Sequence, residues 1–111
     1  MAFVKLCTLD EIWEGEMESF EVDGREILVV WPTGGEIAAF QAVCPHQDIP
    51  LVEGKFDGKT IICRAHQWMF DCRTGAGVNP SDCRLARYPI KVEGDDLLVE
   101  TEGVQPLFAH T

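Results

Sequence analysis

Apolar and polar positions alternate in short runs along this chain, and turn residues end each run. Phe3-Val4-Lys5-Leu6 predicts a first strand. Thr8-Leu-Asp-Glu11 carries the spacing of a capping box, which predicts one helical turn. Residues 16–22 alternate, and Asp23-Gly24 predicts a tight hairpin into a second strand over Arg25 to Trp31. Pro32-Thr-Gly-Gly35 is another turn, leading into a strand over Glu36 to Ala42. Thr60-Ile-Ile-Cys63 and Trp68-Met-Phe70 read as short strands. A last hairpin is expected from Tyr88 to Val92 and from Leu97 to Thr101, turning over Glu93-Gly-Asp-Asp96. No segment keeps a helical period over three turns. The pattern predicts an all-β sandwich or small barrel.

The length of 111 residues fits one domain over residues 1–111, large enough to bury a modest core. No run approaches the roughly 18 apolar residues of a membrane span. The start of the chain, Met1-Ala2-Phe3-Val4-Lys5, lacks the apolar core of a signal peptide, so a cytoplasmic location is expected. The net charge of −10 makes nucleic acid and anionic membranes poor partners. The charge is uneven: residues 1–26 carry −6 and residues 89–111 carry −4, whereas residues 44–88 sum to +1. Such a dipole either serves solubility or orients the molecule toward charged partners.

The neutral stretch holds the candidate chemistry. Cys44-Pro-His46 and Cys63-Arg-Ala-His66 place one thiol and one imidazole in each of two short motifs, with sixteen residues between His46 and Cys63. The two motifs read as two versions of one loop. Thiolate and imidazole are ligands for zinc, copper and iron. Zinc fingers usually group cysteine with cysteine and histidine with histidine. Two facing loops of the present kind suit a two-iron cluster, with both thiolates on one iron and both imidazoles on the other. A single zinc bound by the same four residues is the alternative, and it would make the chain a colourless structural module.

The residues around these motifs extend the pattern. Pro50-Leu-Val-Glu-Gly54, Ile62-Cys-Arg-Ala-His66, Trp68-Met-Phe70-Asp71, Arg73-Thr-Gly75 and Tyr88-Pro-Ile-Lys-Val92, with Cys44-Pro-His46, resemble a Rieske-type [2Fe–2S] ferredoxin over nearly the whole chain. The details "CPHQ" and "CRAHQW" are most similar to the ferredoxin components of bacterial toluene and benzene monooxygenases. The resemblance implies a Rieske-type β-sandwich with a small cluster-binding subdomain at about residues 43–83. It implies one [2Fe–2S] cluster, with Cys44 and Cys63 on the inner iron and His46 and His66 on the outer one. Asn79-Pro80 is the candidate for a third loop covering the cluster. Gln67 follows the second histidine, where the family often has glycine.

The same resemblance implies a soluble one-electron carrier, monomeric when free. Its donor would be an NADH-dependent flavin oxidoreductase. Its acceptor would be the diiron hydroxylase of an aromatic-hydrocarbon monooxygenase or, alternatively, a ring-hydroxylating dioxygenase. A catalytic oxygenase would need a further domain holding a mononuclear iron. Respiratory Rieske proteins carry an extra cysteine in each loop and hydroxyls near the cluster. Here Ile49 and Ala65 take the cysteine positions, and Trp68 and Phe70 the hydroxyl positions. A potential near ~−150 mV, at the low end of the Rieske range, is therefore expected. Cys7, Cys72 and Cys83 are expected to be idle or buried thiols. Trp13 and Trp31 are expected to pack.

Overall fold

The computed structural model describes residues 3–22, 24–43, 50–64, 68–79, 84–101 and 104. They form eleven strands: β1 Val4–Thr8, β2 Met17–Val22, β3 Arg25–Val30, β4 Ala38–Gln41, β5 Lys55–Phe56, β6 Thr60–Ile62, β7 Met69–Asp71, β8 Gly77–Asn79, β9 Arg87–Tyr88, β10 Ile90–Glu93 and β11 Asp96–Val99. Two short 3-10 turns, Leu9–Glu11 and Leu51–Glu53, accompany them. The Glu11 carboxylate accepts a hydrogen bond from the Thr8 amide at 2.7 Å, as the capping-box spacing requires. All strand pairs are antiparallel, in three sheets ordered β1-β11-β10, β2-β3-β4-β9 and β5-β6-β7-β8. The all-β expectation holds.

The run Ile27-Leu-Val-Val30 explains how the sheets stack. All four side chains are buried, which a strand covered on only one face would not require. Leu28 and Val30 join Ala38 and Phe40 against Leu51, Ile61, Cys63, Phe70 and Cys72. Val29 meets Cys7, Ile12 and Leu97, while Ile27 meets Ala39, Tyr88 and Val99. The β2-β3-β4-β9 sheet is thus the middle layer, with the β1-β11-β10 sheet on one face and the β5–β8 sheet on the other. The period of two along β3 sends alternate side chains into the two cores.

Three sequence expectations are corrected. Residues 88–92 are not one strand: Arg87–Tyr88 pairs with β4, and Ile90–Glu93 pairs with β11 in another sheet. Pro89 sits at the switch, and without an N–H it cannot extend a ladder. Its carbonyl instead accepts from the Glu100 amide at 3.0 Å. The short strands β5 and β8 were not expected. Trp13 does not pack: it is 72% exposed, in a turn closed by bonds from the Gly15 amide to the Trp31 carbonyl and from the Glu16 amide to the Trp13 carbonyl. Trp31 is half-buried against the core, as expected. Gly24 adopts a φ of 74° and the Val22–Arg25 pair closes the expected hairpin, while Asp23 lies outside the described residues.

Candidate metal centre

The chain makes two similar excursions from antiparallel pairs. Val43 bridges Pro50, closing off residues 44–49. Ile62 pairs with Met69 at the end of the β6–β7 hairpin, closing off residues 63–68. Each excursion is six residues long, and in each a cysteine is the first residue past the pair. The sequence likeness of the two motifs is therefore matched by their mounting. Cys44, His46 and His66 lie outside the described residues, as do Gln47, Ile49, Ala65 and Gln67.

Cys63 is described. It is fully buried in the core shared with Leu51, Phe70 and Leu85, and is not in a disulfide. Its amide donates to the Trp68 carbonyl at 2.8 Å, tightening the base of the loop. The base of the first loop is fixed by the Leu51 amide, which donates to the Ala42 carbonyl at 2.8 Å, and by the buried Leu51 side chain. A 3-10 turn follows and ends where the Gly54 amide donates to the Leu51 carbonyl at 2.9 Å.

The two loop bases touch. A side chain on Gly54 would overlap the Ile62 carbonyl oxygen and come within 3.1 Å of the Arg64 nitrogen. Beside it the Arg64 Nε donates to Glu53 Oε1 at 2.9 Å. A third segment approaches the same edge: Asn79 at the end of β8 pairs with Met69, next to the second loop. The chain returns by a bridge between Ala76 and Arg84 and a bond from the Leu85 amide to the Gly75 carbonyl at 2.8 Å. Pro80, the rest of the candidate covering loop, lies outside the described residues.

Gln41 braces this end of the molecule. It is 1% exposed. Its side-chain amide donates to the Val43 carbonyl at 2.8 Å, and its Oε1 accepts from the Ala86 amide at 2.8 Å. One buried side chain thus ties the first loop's base to Ala86, the residue just before β9. Sequence reading missed Gln41, and it singled out Glu53, Gly54 and Arg64 only within longer motifs, without a role for their contact. A glutamine flanked by Ala38-Ala-Phe40 and Ala42 was the available signal for the first.

The remaining described thiols lie elsewhere. Cys72 follows β7 at its far end from Cys63, with its amide bonded to the Lys59 carbonyl. Burial is the main cause that raises its pKa. Cys7 sits between the first and middle sheets, and its pKa is pushed up to about 11, first by burial and then by the Glu11 carboxylate. Cys83 lies outside the described residues. Phe70 is fully buried and Trp68 packs partly against the same core.

The residues suit a [2Fe–2S] group. A buried cysteine at the mouth of a tightly based loop offers a thiolate shielded from water. Two thiolates and two neutral imidazoles balance two ferric ions and two sulfides, so the oxidised group would sit in this apolar setting without net charge.

Comparisons with known proteins agree. The profile of the Rieske [2Fe–2S] domain matches residues 2–89. The ferredoxin component of the alkene monooxygenase system of Xanthobacter autotrophicus is 42% identical over 90% of this chain and 82% of its own. The ferredoxin component of biphenyl 2,3-dioxygenase from Rhodococcus jostii is 39% identical over 93% of this chain and 96% of its own. Among solved structures, the ferredoxin of carbazole 1,9a-dioxygenase from Nocardioides aromaticivorans superposes with a TM-score of 0.81 at 32% identity, over 92% of this chain and all of that one. The paired loops, the three-layer β fold and these likenesses converge: the chain belongs to the Rieske [2Fe–2S] family, as a ferredoxin that carries one such cluster and transfers electrons rather than catalysing a reaction.

Proposed function

We propose that this ferredoxin takes single electrons from an NADH-dependent flavin oxidoreductase and passes them to the diiron hydroxylase of an aromatic-hydrocarbon monooxygenase. Cys44, His46, Cys63 and His66 are the ligands in this reading. The observation that carries it is the pair of matched six-residue excursions, each opening with a cysteine. A second reading, delivery to a ring-hydroxylating dioxygenase, is favoured by the biphenyl and carbazole relatives. The monooxygenase reading is favoured by the 42% identity to the alkene monooxygenase ferredoxin and by the CPHQ and CRAHQW motifs.

A cluster held by these four residues would supply one electron per visit, so a reaction that needs two electrons would require two visits. The chain's own residues set how easily that electron is taken up. Neutral imidazoles in place of two thiolates lower the negative charge to be stabilised. The Cys63 burial keeps water from one thiolate. A histidine that binds iron through one ring nitrogen would keep a proton on the other, and the negative charge added on reduction would favour that proton staying bound. Residues 1–111 act as one domain in this reading, with about 43–83 binding the cluster. The protein works in the cytoplasm as a free monomer. Among the described residues no helix is long and apolar enough to cross a membrane.

Rapid mixing tests the assignment. The chemically reduced protein is mixed with a diiron aromatic hydroxylase and, separately, with the terminal oxygenase of a dioxygenase system. Fast reoxidation by the diiron enzyme alone is expected. Preference for the dioxygenase would keep the carrier and transfer it to the second pathway.

A further inference from the structure

We propose that Glu53, Gly54 and Arg64 form a clasp that fixes the spacing of the two cysteine-bearing loops, so that they position the ligands without touching the metal. This rests on the ligand set proposed above. The first loop leaves and rejoins the chain between β4 and β5, whereas the second joins β6 to β7. Hydrogen bonds inside each loop base fix that loop alone. The distance between loops must be set by contacts that cross from one to the other.

The β5–β6 ladder supplies the register for such contacts. Its last pair before the loops is Lys55–Ile62. Continued by one step, that register sets Gly54 opposite Cys63, and by a second step Glu53 opposite Arg64. Backbone pairing stops there because residues 51–53 turn into a 3-10 helix. The two further steps are made by other means. Gly54 lets the backbones meet, since any side chain would strike the Ile62 carbonyl. Glu53 and Arg64 close the next step through side chains, at 2.9 Å. The flanks of Cys63 are thereby held on the first loop's return segment.

The Glu53 and Arg64 side chains are about half exposed, 51% and 58%. An ion pair so wet changes an equilibrium by no more than about fivefold. The Gly54 contact is backbone against backbone and cannot be relieved by a rotamer change, so it should matter more.

The test is the rate of cluster loss from the holoprotein in excess chelator, followed by visible circular dichroism, with urea midpoints measured in parallel. Glu53→Gln and Arg64→Gln are expected to lose the cluster about two- to fivefold faster than the parent. The swap of Glu53→Arg with Arg64→Glu restores the pair and should return most of that loss. Lys5→Gln is the control: it breaks the exposed Lys5–Asp96 pair, on β1 and β11 in the first sheet. It should leave cluster loss unchanged while moving the urea midpoint as little as the clasp variants do. Gly54→Ala should release the cluster more than tenfold faster. If it fails to fold, the ion-pair variants decide. Parental release rates in both single variants, or a swap no better than they are, would overturn the clasp. A parent protein without the visible and EPR signature of mixed cysteine and histidine ligation would instead overturn the ligand set.

Discussion

Replacing Gln41 by leucine keeps the side-chain volume close to native and removes both of its polar ends. The Val43 carbonyl then loses its donor and the Ala86 amide its acceptor, in a site that is 1% exposed at Gln41 itself. The buried Ala86 amide left without a partner costs about 1–3 kcal/mol, and the part-buried Val43 carbonyl, nearer to water, costs less. Leucine recovers part of this, because burying it is favourable where burying an amide is not. A net loss of about 1–3 kcal/mol is expected. A domain of this size loses about 4 °C of melting temperature per kcal/mol, so the holoprotein should melt roughly 4–12 °C lower. The local signature is sharper. Exchange of the Ala86 amide hydrogen should quicken, while the Gln41 amide, which donates to the Ala86 carbonyl at 2.9 Å, should stay protected at sub-global unfolding. A drop of less than about 3 °C, with Ala86 exchange unchanged, would show that water or a shifted backbone replaces the brace, and the argument for Gln41 would fail.

Raising the pH through the range of Cys7 should also be informative. Its thiol holds its proton up to about 11 in the folded protein, against an ordinary value of 9.0. The unfolded chain therefore binds fewer protons than the folded one between these values, and stability falls as pH rises from 9 to 11. Urea midpoints at pH 8 and pH 10.5 should differ less in Cys7→Val than in the parent; equal differences would refute the assignment. Reversing the exposed Arg84 to glutamate, next to the third segment, should slow electron delivery at low salt several-fold, with the effect shrinking as salt rises, whereas Glu18→Lys on β2 should change the rate less than twofold. Stopped-flow rates that respond equally to both reversals would place docking elsewhere. Redox titration should give a potential near ~−150 mV, and Phe70→Tyr should raise it by adding a hydroxyl donor; a clearly positive parent value would rule out this account of the loop residues.

Where sequence reading succeeded, one residue type dictated one local geometry. Gly24 takes the left-handed conformation that an Asp-Gly turn needs, and the Val22–Arg25 pair follows. Thr8 and Glu11 cap their turn across three residues. The Cys/His spacing pointed to the metal chemistry that the family match supports. Other features depended on partners distant in sequence. Residues 88–92 alternate like one strand, and only the neighbours of Tyr88 and Ile90 reveal two sheets, although Pro89 was a visible warning. Strands of two or three residues, such as Lys55–Phe56 and Gly77–Asn79, are too short to show a period. Gln41 reads as an ordinary strand residue until Ala86, 45 positions later, is seen beside it.

The pairing of β1 with β11 has a bearing on how the chain is made. Residues 4–8 find their partners only at 96–99, so during synthesis β1 must wait until those residues have emerged. The β5–β8 sheet draws on residues 55–79 alone, and its hairpins join neighbours that appear together. Contacts close in sequence form sooner than distant ones. The sheet bearing the second cysteine loop should therefore assemble early on the ribosome, and the joining of β1 to β11 should be the late event that seals the opposite layer.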